Sequence, residues 1–293
     1  MVDRKTGITD EVQIINSSSS TDITDQLGVV QSAGWNIEEN INTLPSVGNG
    51  ANIKEIADGL IVPNVSLSLA VPDFRALQLM GSLSDGTITF DDILPTFTQK
   101  MQVGNGTVLE VTGAKYGNVT INLSRDDFIT MEFEGVGTSF QFTSDTISTS
   151  LTTNEILNWF NGQYKIDGAA VGSVDSCSIN YSRNLEPVKG VQSDSSRTPD
   201  EIIEKIKEIT SDSTIEITDD TAWKKVHDES TLPIDPQDSR GLSNVSIDCG
   251  DAGEITVTDG KFTSDEGELA NDNEIRTVST SLQGKEIDVS GIV

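Results

Sequence analysis

The stretch NVTINLSRDDFITMEFE, residues 118–134, decides the fold: Val119, Ile121 and Leu123, then Ile129, Met131 and Phe133, put an apolar side chain at every second position. Period two is the spacing of a strand with one buried and one wet face. The same alternation recurs outward from it, in Val65, Leu67 and Leu69 of NVSLSLA and in Ile215 and Ile217 of STIEITD. Between the apolar runs lie Ser, Thr, Asn, Asp and Gly, and Asn105-Gly106 stands where a tight hairpin turn belongs. These features predict a mainly β protein, an antiparallel sandwich or barrel.

Composition narrows the function. Among 293 residues, 47 acidic against 19 basic side chains give a formal charge of −28, which disfavours gripping nucleic acid phosphates or an anionic membrane by charge. One histidine and two cysteines leave too few ligands for a four-ligand zinc site or a disulfide-stapled scaffold. No metal or other cofactor is expected. The opening MVDRKTGITDEVQ lacks the apolar stretch of a secretory signal, and no window reaches eighteen apolar residues, so an unexported protein with no membrane contact is expected. So large an acid excess, with lysine scarce, reads as adaptation to concentrated salt, where the screening length at about 1 M is only about 3 Å.

Catalytic signatures are missing: there is no phosphate-binding Walker loop, no GxSxG and no HExxH, and GVGTSF at 135–140 lacks the third glycine of a dinucleotide fingerprint. His227 reads as a lone surface histidine. Cys177 and Cys249 sit at alternating apolar positions and read as small buried residues. The expectation is therefore a protein without enzymatic activity.

NVTINLSRDD (118–127) and SCSINYSRNL (176–185) share a frame, which reads either as a duplicated unit, the favoured reading, or as similar strands recurring by composition alone. The expected organisation is an N-terminal arm over 1–58, weakly structured alone, a first β domain over 59–168 and a second over 169–293. The second carries a polar loop at about 184–197 and then Thr198, Pro199 and Glu201, a capping box that predicts a helix over about 199–210 with Ile202, Ile203, Ile206 and Ile209 on one face.

With those residues in place the chain resembles a known family. SINYSRNLEPVKG followed by SRTPDEIIEKIKEITSDSTIEI is similar to the strand, loop, helix and return strand of the tail tube proteins (major tail proteins) of long-tailed double-stranded DNA viruses. The motif comprises Asn184, Leu185, Glu186 and Pro187, then Arg197, Thr198 and Pro199. The resemblance implies a β-sandwich or barrel with a flanking α-helix, a structural virion protein assembled in the host cytoplasm, and rings that stack into a hollow conduit for genome delivery. It implies as partners further copies of the chain, in trimeric pseudo-sixfold or hexameric rings, and tail terminator, tape measure and baseplate proteins. Viral DNA would pass through the lumen without specific binding. The acid bias suggests a virus of halophilic archaea. The loop and helix, with Ile202 and Ile206, are the candidate subunit contacts. The alternative is a non-catalytic β-sandwich adhesin or surface-binding module.

Overall fold

The computed structural model describes residues 12–45, 53–90, 92–104, 106–147, 154–171, 173–190, 196–217, 241–268 and 276–293. Its strands are β1 (Val12–Asn16), β2 (Thr21–Asp22), β3 (Val29–Pro45), β4 (Ile53–Ala70), β5 (Ser82–Ser84), β6 (Thr87–Thr89), β7 (Phe97–Gly104), β8 (Thr107–Ser124), β9 (Thr130–Val136) and β10 (Ser139–Thr143). They continue with β11 (Gln163–Ile166), β12 (Ala169–Ala170), β13 (Ser173–Ser182), β14 (Leu185–Val188), β15 (Glu201–Glu204), β16 (Glu208–Ile217), β17 (Ser243–Asp248), β18 (Glu254–Glu268), β19 (Arg276–Gly284) and β20 (Glu286–Ser290). The protein is mainly β and antiparallel throughout its pairings, as the alternation predicts.

A long central sheet runs β3-β4-β9-β8-β13-β16-β19-β18. Two smaller sheets, β2-β1-β7-β8-β10 and β12-β11-β17-β18-β20-β6-β5, share β8 and β18 with it. Each shared strand pairs in a small sheet over its first half and in the central sheet over its second. One face of the central sheet, with Leu67, Phe133, Ile121, Ile179 and Ile215, is buried in a core that also takes in Val12, Ile14, Val245 and Val289. Tyr116 is enclosed there, its ring 6.0 Å from both Phe97 and Phe133, and its hydroxyl donates to Gln99 Oε1 at 2.6 Å. A buried polar tip needs such a partner.

The strand order is used twice. Pairings among β1, β2, β3, β4, β7, β8, β9 and β10 recur among β11, β12, β13, β16, β17, β18, β19 and β20. Three irregularities recur with them: the shift at Val30/Ser32 matches Val174/Ser176, Tyr116/Asn118 matches Phe262/Ser264, and Phe97/Gln99 matches Ser243/Val245. A bulge re-aims a strand, so its position follows the fold more closely than side-chain identity does.

Two readings need correction. Residues 199–210 form no helix: β15 pairs with β14 as a hairpin, residues 205–207 connect, and β16 begins at Glu208. The Asp200 amide, which a helix would leave free in its first turn, donates to Val188 O at 2.9 Å. Ile202 is buried and its neighbour Ile203 is 42% exposed, which is period two. Adjacent β-branched isoleucines with a strand waiting beside them favour pairing over a short helix. The echo of 118–127 in 176–185 is likewise not the repeat. Those segments are β8 and β13, hydrogen-bonded neighbours in one sheet, whose equivalents by strand order are β18 and β3. Both strands face the same core on one side and the same wet face on the other.

Candidate functional site

The outward face of the central sheet is wet. Ser66 and Ser68 of β4, Asn118, Thr120 and Asn122 of β8, and Ser178, Asn180 and Ser182 of β13 alternate with the buried residues. Glu38, Glu132, Glu134, Glu208, Asp212 and Glu266 fall on the same rows, which makes the face acidic. Shallow hollows of about 500 and 470 Å3 lie along it, lined by side chains such as Asn64, Asn118, Glu134, Asn180 and Thr210. At one end Arg125 Nη2 meets Glu216 Oε1 at 2.7 Å.

The sheet ends in two edges. Among the described residues β3 pairs only with β4, and the second half of β18 only with β19. Both edges keep backbone donors and acceptors on one side, which a soluble chain must block or use. Near the first lies an aromatic group: Trp35 is 46% exposed, 6.4 Å edge-on to the exposed Phe142, itself 6.3 Å from Phe140.

The β14–β15 hairpin gathers most of the residues expected at subunit contacts and ties them to their own chain. Leu185 covers Gly117, where a Cβ would stand 2.4 Å from the leucine Cγ. Glu204 meets Lys115 at 2.5 Å, both side chains being largely buried, and accepts the Leu94 amide at 3.3 Å. Arg197 reaches Glu39 and donates to Gly59 O at 3.0 Å, while its own carbonyl accepts the Ile61 amide at 2.7 Å. Glu186 pairs with Lys205 at 2.6 Å on the surface. Asn184 takes a left-handed φ of 46° where the chain turns from β13 into β14. Pro187 faces Ile202 across the hairpin, Pro199 is buried beside the half-buried Thr198, and only Ile203 and Ile206 among these apolar groups remain exposed.

Neither thiol is poised for chemistry. Burial pushes Cys177 up to about 12, with the nearby Cys249 adding to the rise, and burial then Asp248 push Cys249 up to about 12. Asp248 is occupied by Lys165, whose contact holds its carboxyl below the usual carboxylate range, and by the Gly250 amide at 2.8 Å. Among the described residues no group of three or more His, Cys, Asp and Glu side chains could hold a metal ion. His227 lies outside the described residues. No helix among them is long and apolar enough to cross a membrane.

Among the described residues this is an extended antiparallel sheet, wet and acidic on one face, packed on the other and unpaired at both edges, which defines a β-sheet protein with backbone groups open at each edge. The chain belongs to the phage tail tube protein family, whose model matches residues 62–284. That membership makes it a structural component of the virion. No curated protein matches it.

Proposed function

We propose that the chain is the tail tube subunit, that three copies close into a ring, and that stacked rings form a hollow conduit for the genome, bored along the acidic face of the central sheet. The doubled strand order carries this reading. Each chain supplies two units, one built on β1–β4 and β7–β10 that takes in much of the expected arm and one built on β11–β13 and β16–β20, so three chains place six similar units around an axis. Heterologous contacts of this kind close laterally when the rotation fits and extend axially when it does not. A bore wall lined mainly by carboxylates and neutral side chains offers phosphates few cationic anchors, which matters more in strong salt than the screened repulsion, so DNA slides without sticking. Tail terminator, tape measure and baseplate proteins are the expected neighbours along the tail, with assembly in the host cytoplasm.

Electron microscopy of the purified chain at molar salt tests the reading. Stacked rings with the mass of three 31.4 kDa chains are the expected result. Six chains per ring would overturn the trimer, and dispersed monomers at high concentration would overturn the tube.

The net charge of −28 supports a salt-loving archaeal host. Dilution from about 1 M to about 0.1 M salt lengthens the screening distance from about 3 to about 10 Å and exposes carboxylate self-repulsion. The melting temperature should fall steeply across that range, and a flat profile by differential scanning calorimetry would remove the salt adaptation.

A further inference from the structure

The repeat turns one contact inside the chain into a template for a contact between chains. Within the chain the first unit meets the second where β8 pairs with β13, with Ile121 opposite Ile179 and Thr120 opposite Asn180. Over that junction the β14–β15 hairpin lays Leu185 on Gly117 and Glu204 on Lys115. By strand order and matching bulges, Lys115 and Gly117 of β8 correspond to Lys261 and Thr263 of β18. On the other side the hairpin corresponds to the far end of the β3–β4 arm. The pair Leu185↔Glu204 corresponds to Ile41↔Asp58, and the next pairs, Glu186↔Ile203 and Pro187↔Ile202, to Asn42↔Ala57 and Thr43↔Ile56.

Among the described residues the second unit's β18 has no third unit to complete it. The groups that would do so are exposed: Ile41 at 59%, the Asp58 side chain at 74%, and Lys261. We infer that β18 of one copy pairs with β3 of the next in the register of β8 with β13, so that Lys261 meets Asp58 of the neighbour, Ile41 covers Thr263, and Trp35 lies opposite Gly267. The partner is a second copy of this chain, and the inference rests on the ring reading above. Gly267 offers no side chain against the bulky Trp35, which suits that pairing. Asp58 already lies 3.4 Å from Arg197 of its own chain, which also meets Glu39, so the seam would extend an existing three-membered cluster to four.

The same template sets Asn36 of one copy opposite Glu266 of the next, as Asn180 stands opposite Thr120 within the chain. In the Asn36→Cys/Glu266→Cys variant, copper–phenanthroline oxidation of assembled protein should give covalent dimers and trimers on a denaturing gel. The displaced pair Asn36→Cys/Ser264→Cys should cross-link at least about ten-fold more slowly, because a disulfide does not span a two-residue offset. Faster reaction of the displaced pair overturns the register. Rings in the microscope with neither pair cross-linked overturn the seam while leaving the tube intact, and dispersed chains without cross-links remove both. A second measurement reads the charge pair: at fixed salt, Lys261→Asp or Asp58→Lys alone should raise the concentration for half-assembly about ten-fold, and the two together should return it to within about three-fold. A double variant no better than the worse single one overturns the ion pair.

Discussion

Lys115→Met should lower the free energy of urea unfolding by about 3 kcal/mol, with a fall of about 6–12 °C in melting temperature. The Lys115 and Glu204 side chains are 14% and 12% exposed and 2.5 Å apart, so removing the ammonium leaves a carboxylate in a largely dry place. Its remaining partner there is the Leu94 amide. The lysine also donates to Ile202 O at 3.3 Å, so that carbonyl loses a partner as well. Breaking one side of such a pair costs more than deleting both, because the survivor keeps its desolvation without its attraction. Lys115→Met/Glu204→Leu should therefore recover most of the loss. The hairpin is held to the first unit through this contact and through Arg197, so the single variant should also speed hydrogen exchange at the Ile61 amide, which is bonded to Arg197 O. Equal stabilities for the single and double variants would remove the pair from any role in docking the hairpin.

The strands were legible because each carries its own evidence. Val119, Ile121 and Leu123 alternate, and all are buried on one face of β8. Residues 199–210 read as a helix because Thr198, Pro199 and Glu201 satisfy a local capping rule and the isoleucines at 202, 203, 206 and 209 fall at helical spacing. What decides for a strand instead is Leu185–Val188, a strand partner whose pairing with β15 no local pattern announces. The repeat was hidden for the opposite reason. Ile121 corresponds to Gly267 and Val119 to Asp265, so the bulges persist while the side chains have drifted apart. One trace of it survives in sequence. Lys115-Tyr116-Gly117-Asn118 and Lys261-Phe262-Thr263-Ser264 share the order lysine, aromatic, small, polar, in a chain poor in lysine. The seam residues Ile41 and Asp58 had no such signal, since their role depends on what Leu185 and Glu204 do elsewhere.

Alkali should destabilise the fold through two groups that do no chemistry. Cys177 and Cys249 keep their protons in the folded state up to about 12, because burial disfavours the thiolate, whereas in an unfolded chain a thiol ionises near about 8.5–9. Between those limits the unfolded state releases protons that the folded state retains. Stability from these groups is thus fully present below about pH 8.5 and is lost as pH rises toward 12, by about 1.4 kcal/mol per pH unit for each thiol. Tyr164, also pushed up to about 12 by burial, adds the same sign from about pH 10. By pH 10 the thiols together should have cost about 3 kcal/mol. Urea titrations from pH 7.5 to 10 on the wild type and on Cys177→Val/Cys249→Val separate this from general lysine titration, which both proteins share. The variant keeps two small apolar side chains in the core and has no thiol to ionise, so its stability should decline less steeply above pH 8.5. Parallel profiles would mean that the thiols are not held neutral by the fold, and that the packing between β13 and the end of β17 admits water.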